Sequence, residues 1–117
     1  MLVLNFIALQ GLNITGKAST KPKTMTVSQL YEKALANETV TVRGTVIRIL
    51  PDYTSKKGYD YQQFYIGDGS EEIKIFCSER YGKVTVQTGD EVVVSGKYQK
   101  YYTEMEIYGY CSEIKLA

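Results

Sequence analysis

A chain of 117 residues with a 44% hydrophobic share has the size of one domain with a single core and the composition of an ordinary soluble globular protein. Its 14 Lys and Arg against 13 Asp and Glu, a net charge of +1, exclude a globally basic nucleic-acid binder. The absence of histidine, with only two distant cysteines, Cys77 and Cys111, argues against a zinc site and removes the commonest general base.

The first twelve residues, from Met1 to Leu12, are apolar but too short for a membrane span of ~20 residues. They also lack the basic start of a secretory signal, since the first positive charge is Lys17. Three readings stay open: a trimmed signal or anchor, a strand or helix docked on the domain, and a segment for a protein partner or self-association. Docking is favoured, because exposed apolar runs are seldom left bare. Residues 1–24 are therefore an apolar segment plus linker, and 25–117 the folded domain. The expected location is cytoplasmic, or exported or membrane-tethered if residues 1–12 are a remnant signal or anchor.

Thr26-Val27-Ser28-Gln29 has the form of a capping box and opens a short helix over about 26–36. Val27, Leu30, Tyr31, Ala34 and Leu35 give it one apolar face, and Asn37 ends it. Strand one runs from about Glu38 to Leu50, apolar on both faces in its second half. Gly44 marks a bulge or sharp coil in it, and Pro51 stops it. A loop over 51–60 follows. Strand two, 61–67, alternates, with Phe64 and Ile66 on one face and Tyr61, Gln63 and Tyr65 on the other. Gly67-Asp68-Gly69-Ser70 turns the chain into strand three, 71–77, where Ile73, Ile75 and Cys77 point inward and Glu72, Lys74 and Phe76 outward. Residues 78–88 have no clear period and suit a loop or helical turn. Strand four, 91–98, puts Val92 and Val94 inside. Gln99 to Tyr102 form a loop, and strand five turns Met105 and Ile107 inward and Glu104, Glu106, Tyr108 and Tyr110 outward.

The end of strand three and the last strand can lie side by side, so Cys77 and Cys111 can pair. Two buried free thiols are the favoured reading, because free cysteine is commonly just packed. Eleven tyrosines against three phenylalanines suit half-buried sheet faces and binding surfaces, although tyrosine favours strands in any case.

This order of elements resembles the oligonucleotide/oligosaccharide-binding (OB) fold. The resemblance rests on the helix, the strand of Val40, Val42, Gly44 and Val46, the hairpin Phe64-x-Ile66-x-Asp68-Gly69, the strand opened by Gly89-Asp90 and closed at Gly96, and the acidic last strand. It spans roughly 26–116 and is closest to the nucleic-acid-binding type. It implies a mainly β, five-stranded Greek-key barrel whose binding face is the outer surface of strands two and three. That face carries Tyr61, Gln63, Tyr65, Lys74 and Phe76. Tyr53, Lys56, Lys57 and Tyr59 flank it on one side, and Lys97, Lys100, Tyr101 and Tyr102 on the other. Aromatic rings there stack bases while lysines track phosphates, a chemistry suited to sequence-tolerant binding of single-stranded DNA or RNA. Asp52, Asp60 and Glu72 intrude and oppose phosphate. Cross-strand packing accounts equally for Phe76 or Tyr65 taken singly; it is the clustering that points to a ligand. The alternative is an OB domain for a protein, peptide or small ligand, or a subunit of a larger complex. No enzyme is expected, since the nuclease relatives of this fold need acids and arginines that Arg43, Arg48 and Arg80 do not supply. No cofactor or metal is expected.

Overall fold

Residues 22–117 are described by the computed structural model, so the readings placed on residues 1–12 lie outside the described residues. Met25 enters beside the first strand, its N–H donating to the Thr41 carbonyl and its carbonyl accepting from Arg43 N–H, both at 2.9 Å. The capping box then forms as expected. Thr26 Oγ1 accepts from Gln29 N–H at 3.1 Å, and Gln29 Oε1 accepts from Thr26 N–H at 3.0 Å. Helix α1 spans only Val27–Lys33, shorter than the sequence suggests. Ala34 is already extended, Asn37 takes a left-handed φ of 71°, and Leu35 is 73% exposed. The helix needs only Val27 and Leu30 to seal one end of the core, and both are fully buried.

Six strands follow: β1 Glu38–Thr54, β2 Asp60–Gly67, β3 Glu72–Ser78, β4 Glu91–Tyr101, β5 Glu104–Tyr110 and the two-residue β6 Lys115–Leu116. The first five close a ring in the order β1-β2-β3-β5-β4, with β4 returning to β1. β1 does this by changing partners at Thr45: its first half pairs with β4 and its second with β2. The closing pair, β3 with β5, is parallel. The core is the inward row of each strand, with Val40, Val42, Val46, Phe64, Ile66, Ile73, Ile75, Val92, Val94, Tyr98 and Ile107 all buried.

Several expectations are corrected. Pro51 does not stop β1. It sits in a bulge, where residues 51 and 52 oppose Gln62 between the pairs Leu50–Gln63 and Tyr53–Tyr61, the position in which a strand tolerates a residue without an N–H. The loop over 51–60 shrinks to a turn at 55–59, closed by Ser55 N–H to the Tyr59 carbonyl at 2.8 Å. Gly44 carries no bulge; β1's irregularities lie at 46–48 and 50–53. A Cβ at Gly44 would come within 3.2 Å of Ile66, so this glycine lets β1 coil tightly over the end of β2. The second half of β1 is apolar on both faces but not buried on both: Ile49 is 48% exposed. Of the two readings for the stretch after β3, the loop is the one found: residues 79–90 contain turns and no helix. The cysteines are not free thiols: Cys77 and Cys111 form a disulfide with Cα atoms 4.9 Å apart, both residues almost fully buried. The parallel β3–β5 closure carries the end of β3 to the short 3-10 turn of residues 111–113, which brings the two sulfurs together.

Candidate binding groove

Pairing registers across the sheet set the outer face. One row runs Leu50, Gln63, Phe76, Tyr108 and Lys97 across β1, β2, β3, β5 and β4; the next runs Arg48, Tyr65, Lys74, Glu106 and Gln99. A third begins with Tyr53 and Tyr61. Side chains on these rows project from the barrel because the inward residues alternate with them. On this face lies a groove of about 350 Å³ bounded by Tyr53, Ser55, Tyr61, Gln63, Lys74, Phe76, Gln99, Tyr101, Glu106 and Tyr108.

Its centre is an aromatic ladder. The Tyr61 ring lies nearly parallel to Phe76, with centroids 4.7 Å apart and planes at 18°. Tyr53 leans on both from the β1 side, at 6.0 Å from Tyr61 and 6.2 Å from Phe76, and Tyr108 flanks Phe76 from β5 at 6.1 Å. The Lys74 ammonium is held 5.8 Å above the Phe76 ring, a cation–π contact that keeps the charge over the ladder. Phe76 is thus half-buried by its neighbours, while Tyr53 remains 47% exposed and Tyr101 55%. Burial, with Tyr61 and Tyr110 alongside, pushes the Tyr108 phenol above its ordinary pKa, so it remains a donor through neutral pH.

The residues singled out from the sequence divide into two sets. Tyr53, Tyr61, Gln63, Lys74, Phe76 and Tyr101 meet in the groove. Tyr65 lies beside it, covered by Arg48, whose guanidinium is 4.2 Å from the ring centroid, while the Tyr65 hydroxyl donates to the Glu104 carboxylate. That hydrogen bond, with burial, pushes the Tyr65 phenol up. Lys97 pairs with Tyr108 at the β4 edge of the face. Lys56 and Lys57 sit at the exposed β1–β2 turn. Tyr102, 84% exposed with φ 56°, forms the β4–β5 turn. Lys100 pairs with Met105 and so takes the opposite face of β4 from Gln99 and Tyr101. Tyr59 is outside the groove, in a separate depression with Asp60, Glu79 and Arg80. That depression sets two carboxyls, Asp60 and Glu79, beside Arg80, and the Glu79 carboxyl is pushed up by burial first and by the neighbouring Asp52 second. Glu72, expected to oppose phosphate, is paired with Arg48.

Sequence reasoning missed Tyr108, Ser55, Gln99 and, above all, Glu106. Glu106 does face outward, yet it is only 4% exposed and lies in the groove, accepting from Gln99 Nε2 at 3.0 Å. The signal was present in the outward positions of strand five, which the parallel β3–β5 pair places beside Lys74 and Phe76.

A β1-β2-β3-β5-β4 ring with a ligand-sized groove on its β2–β3 face defines an OB-fold domain, and solved structures agree. The chain is similar to a domain of replication protein A from Methanococcus maripaludis, at 17% identity and TM-score 0.64, over 80% of this chain and 93% of that one. It is also similar to the hypothetical protein ygiW from E. coli, at 21% identity and TM-score 0.59, over 89% and 100%. The OB domain of Ta0387 from Thermoplasma acidophilum matches at 16% identity and TM-score 0.56, over 80% and 83%. At these identities the likeness is one of fold. No protein-family model matches the chain, and no curated protein does.

Proposed function

We propose that this OB domain is a binding module for single-stranded nucleic acid, DNA or RNA, and not an enzyme. One observation carries the reading: the ladder of Tyr53, Tyr61, Phe76 and Tyr108 with Lys74 over it, on the face of the barrel where OB folds take ligands. Stacked, half-exposed rings supply surfaces for successive bases at ~1–3 kcal/mol each, whatever the base. Lys74 in the groove and Lys56 and Lys57 at the adjoining turn supply cations for phosphates. The replication protein A neighbour is consistent with nucleic acid as the ligand class for this fold.

The Cys77–Cys111 disulfide favours work outside a reducing cytosol over the cytoplasmic location expected from the sequence. Fluorescence anisotropy with labelled DNA and RNA single strands in ~20 mM salt, where phosphate attraction is least screened, tests the function. Saturable binding that duplex competitors displace poorly is the expected result. No binding of either strand at that salt overturns the proposal.

A further inference from the structure

We propose that the groove reads guanine, with Glu106, Gln99 and Lys74 as its specificity-determining residues. This rests on the single-strand reading above and names the base that reading leaves open. The starting point is a misfit. A groove that only tracks phosphates gains nothing from a carboxylate, yet Glu106 sits in this one, 4% exposed. Among the described residues, the one hydrogen bond its side chain accepts comes from Gln99 Nε2. A buried acceptor is costly unless donors reach it. Gln99 commits an amide N–H to Glu106, and Gln63 commits one to the Pro51 carbonyl at 3.0 Å. The carbonyl oxygens of both amides therefore remain as acceptors on groove-lining side chains. The groove is rich in acceptors, and Lys74 is the one cation among its lining residues.

In a DNA single strand the donors lie on the base edges, and RNA adds only the 2′-hydroxyl, which says nothing of the base. Guanine's Watson–Crick edge carries an acceptor, O6, followed by two adjacent donors, N1–H and the N2 amino group. A carboxylate takes both donors with its two oxygens, and a neighbouring ammonium takes O6. Lys74 and Glu106 are register partners on adjacent strands, so the required donor and acceptor stand side by side. Phe76, two residues along from Lys74 on the same face, offers the ring on which that base stacks. Cytosine and adenine each present one amino group, and thymine or uracil a single imide N–H. None of them occupies both carboxylate oxygens.

The test is a competition series of short thymine strands carrying one central guanine, inosine, cytosine, adenine or thymine, with the matching uridine-background RNAs to separate DNA from RNA as the source. The single guanine avoids quadruplex formation. Guanine is expected to bind at least about 5-fold tighter than thymine, the lower end for one good bidentate contact. Inosine, lacking the N2 amino group, is expected to fall close to thymine. In Glu106→Gln the guanine-to-thymine affinity ratio is expected to drop to about one. Guanine preference in either backbone that inosine loses supports the inference. Equal affinity for all five bases in both backbones overturns it and leaves the single-strand reading intact. A preference for cytosine or adenine also overturns it, as does a guanine preference that persists in folded Glu106→Gln. If Glu106→Gln does not fold, the inosine arm in the unaltered protein decides. Failure of every strand to bind overturns this inference and the reading beneath it together.

Discussion

Phe76 is the residue on which the groove turns, because it touches Tyr53, Tyr61 and Tyr108 at once and carries Lys74 above it. Phe76→Ala removes both a stacking surface and the packing that orients its neighbours, so affinity for single strands should fall about 5- to 150-fold, the equivalent of ~1–3 kcal/mol. Anisotropy titration checks this, with circular dichroism to confirm that the barrel persists. Unchanged affinity in a folded variant would place the ligand elsewhere. At this scale the sequence was informative where alternation alone sets a side chain's direction. Tyr61, Gln63, Lys74 and Phe76 sit where a period of two puts them. It turns Glu106 and Tyr108 outward but does not bring them to the groove, because that place depends on a parallel pairing between strands some thirty residues apart, of which local pattern carries no trace.

Among the elements, the hairpins are longer than the sequence suggests, and this moves side chains into the groove. β1 continues through Pro51 to Thr54, making Tyr53 a strand residue opposite Tyr61, and β4 continues to Tyr101, placing Gln99 opposite Glu106. Proline reads locally as a stop, but a bulge needs no N–H from it, and that exemption is visible only once β2 is paired. The β4–β5 pair depends on close approach: a Cβ at Gly96 would lie 2.5 Å from the Tyr108 carbonyl oxygen, and one at Gly109 2.6 Å from that of Ser95. Gly96→Ala forces those backbones apart and should lower stability by ~1–3 kcal/mol, read from the denaturant midpoint. It should also weaken ligand binding by displacing Tyr108. The β2–β3 turn joins the helix through Asp68, whose carboxylate accepts from Ser28 N–H at 2.8 Å and from Ser70 and Glu71 N–H at 2.9 Å each. Burial works against the charge, but these hydrogen bonds outweigh it and hold the carboxyl well below its ordinary 3.8. A depressed folded-state pKa contributes stability that is present above about pH 4 and is lost as pH falls through the lowered value. Asp68→Asn keeps one acceptor oxygen but loses the charge, so it should cost ~1 kcal/mol at neutral pH, the difference between hydrogen bonds to charged and to neutral acceptors, and should narrow the gap to the parent protein as pH drops below 4. Thermal melts from pH 7 to 2 measure both.

For the whole molecule, the barrel was legible because its glycines, turns and inward rows all agree with one topology. The disulfide was not, since sequence separation gives no distance. Its closure of 34 residues should contribute ~2–4 kcal/mol, so reduction or the Cys77→Ala/Cys111→Ala pair should lower the melting temperature; an unchanged melt would show that the bridge does not form. Charge acts at this scale too. A domain with more acids than cations can neutralise only the phosphates near Lys56, Lys57 and Lys74, so log affinity should fall with log salt with a slope of about −2. The most direct test of the account is amide shift mapping of the labelled protein as a single-stranded oligonucleotide is added. Changes should concentrate at residues 53, 61–65, 74–76, 99–101 and 106–108. Shifts confined to the depression around Tyr59 and Glu79, or none at saturating strand, would contradict it.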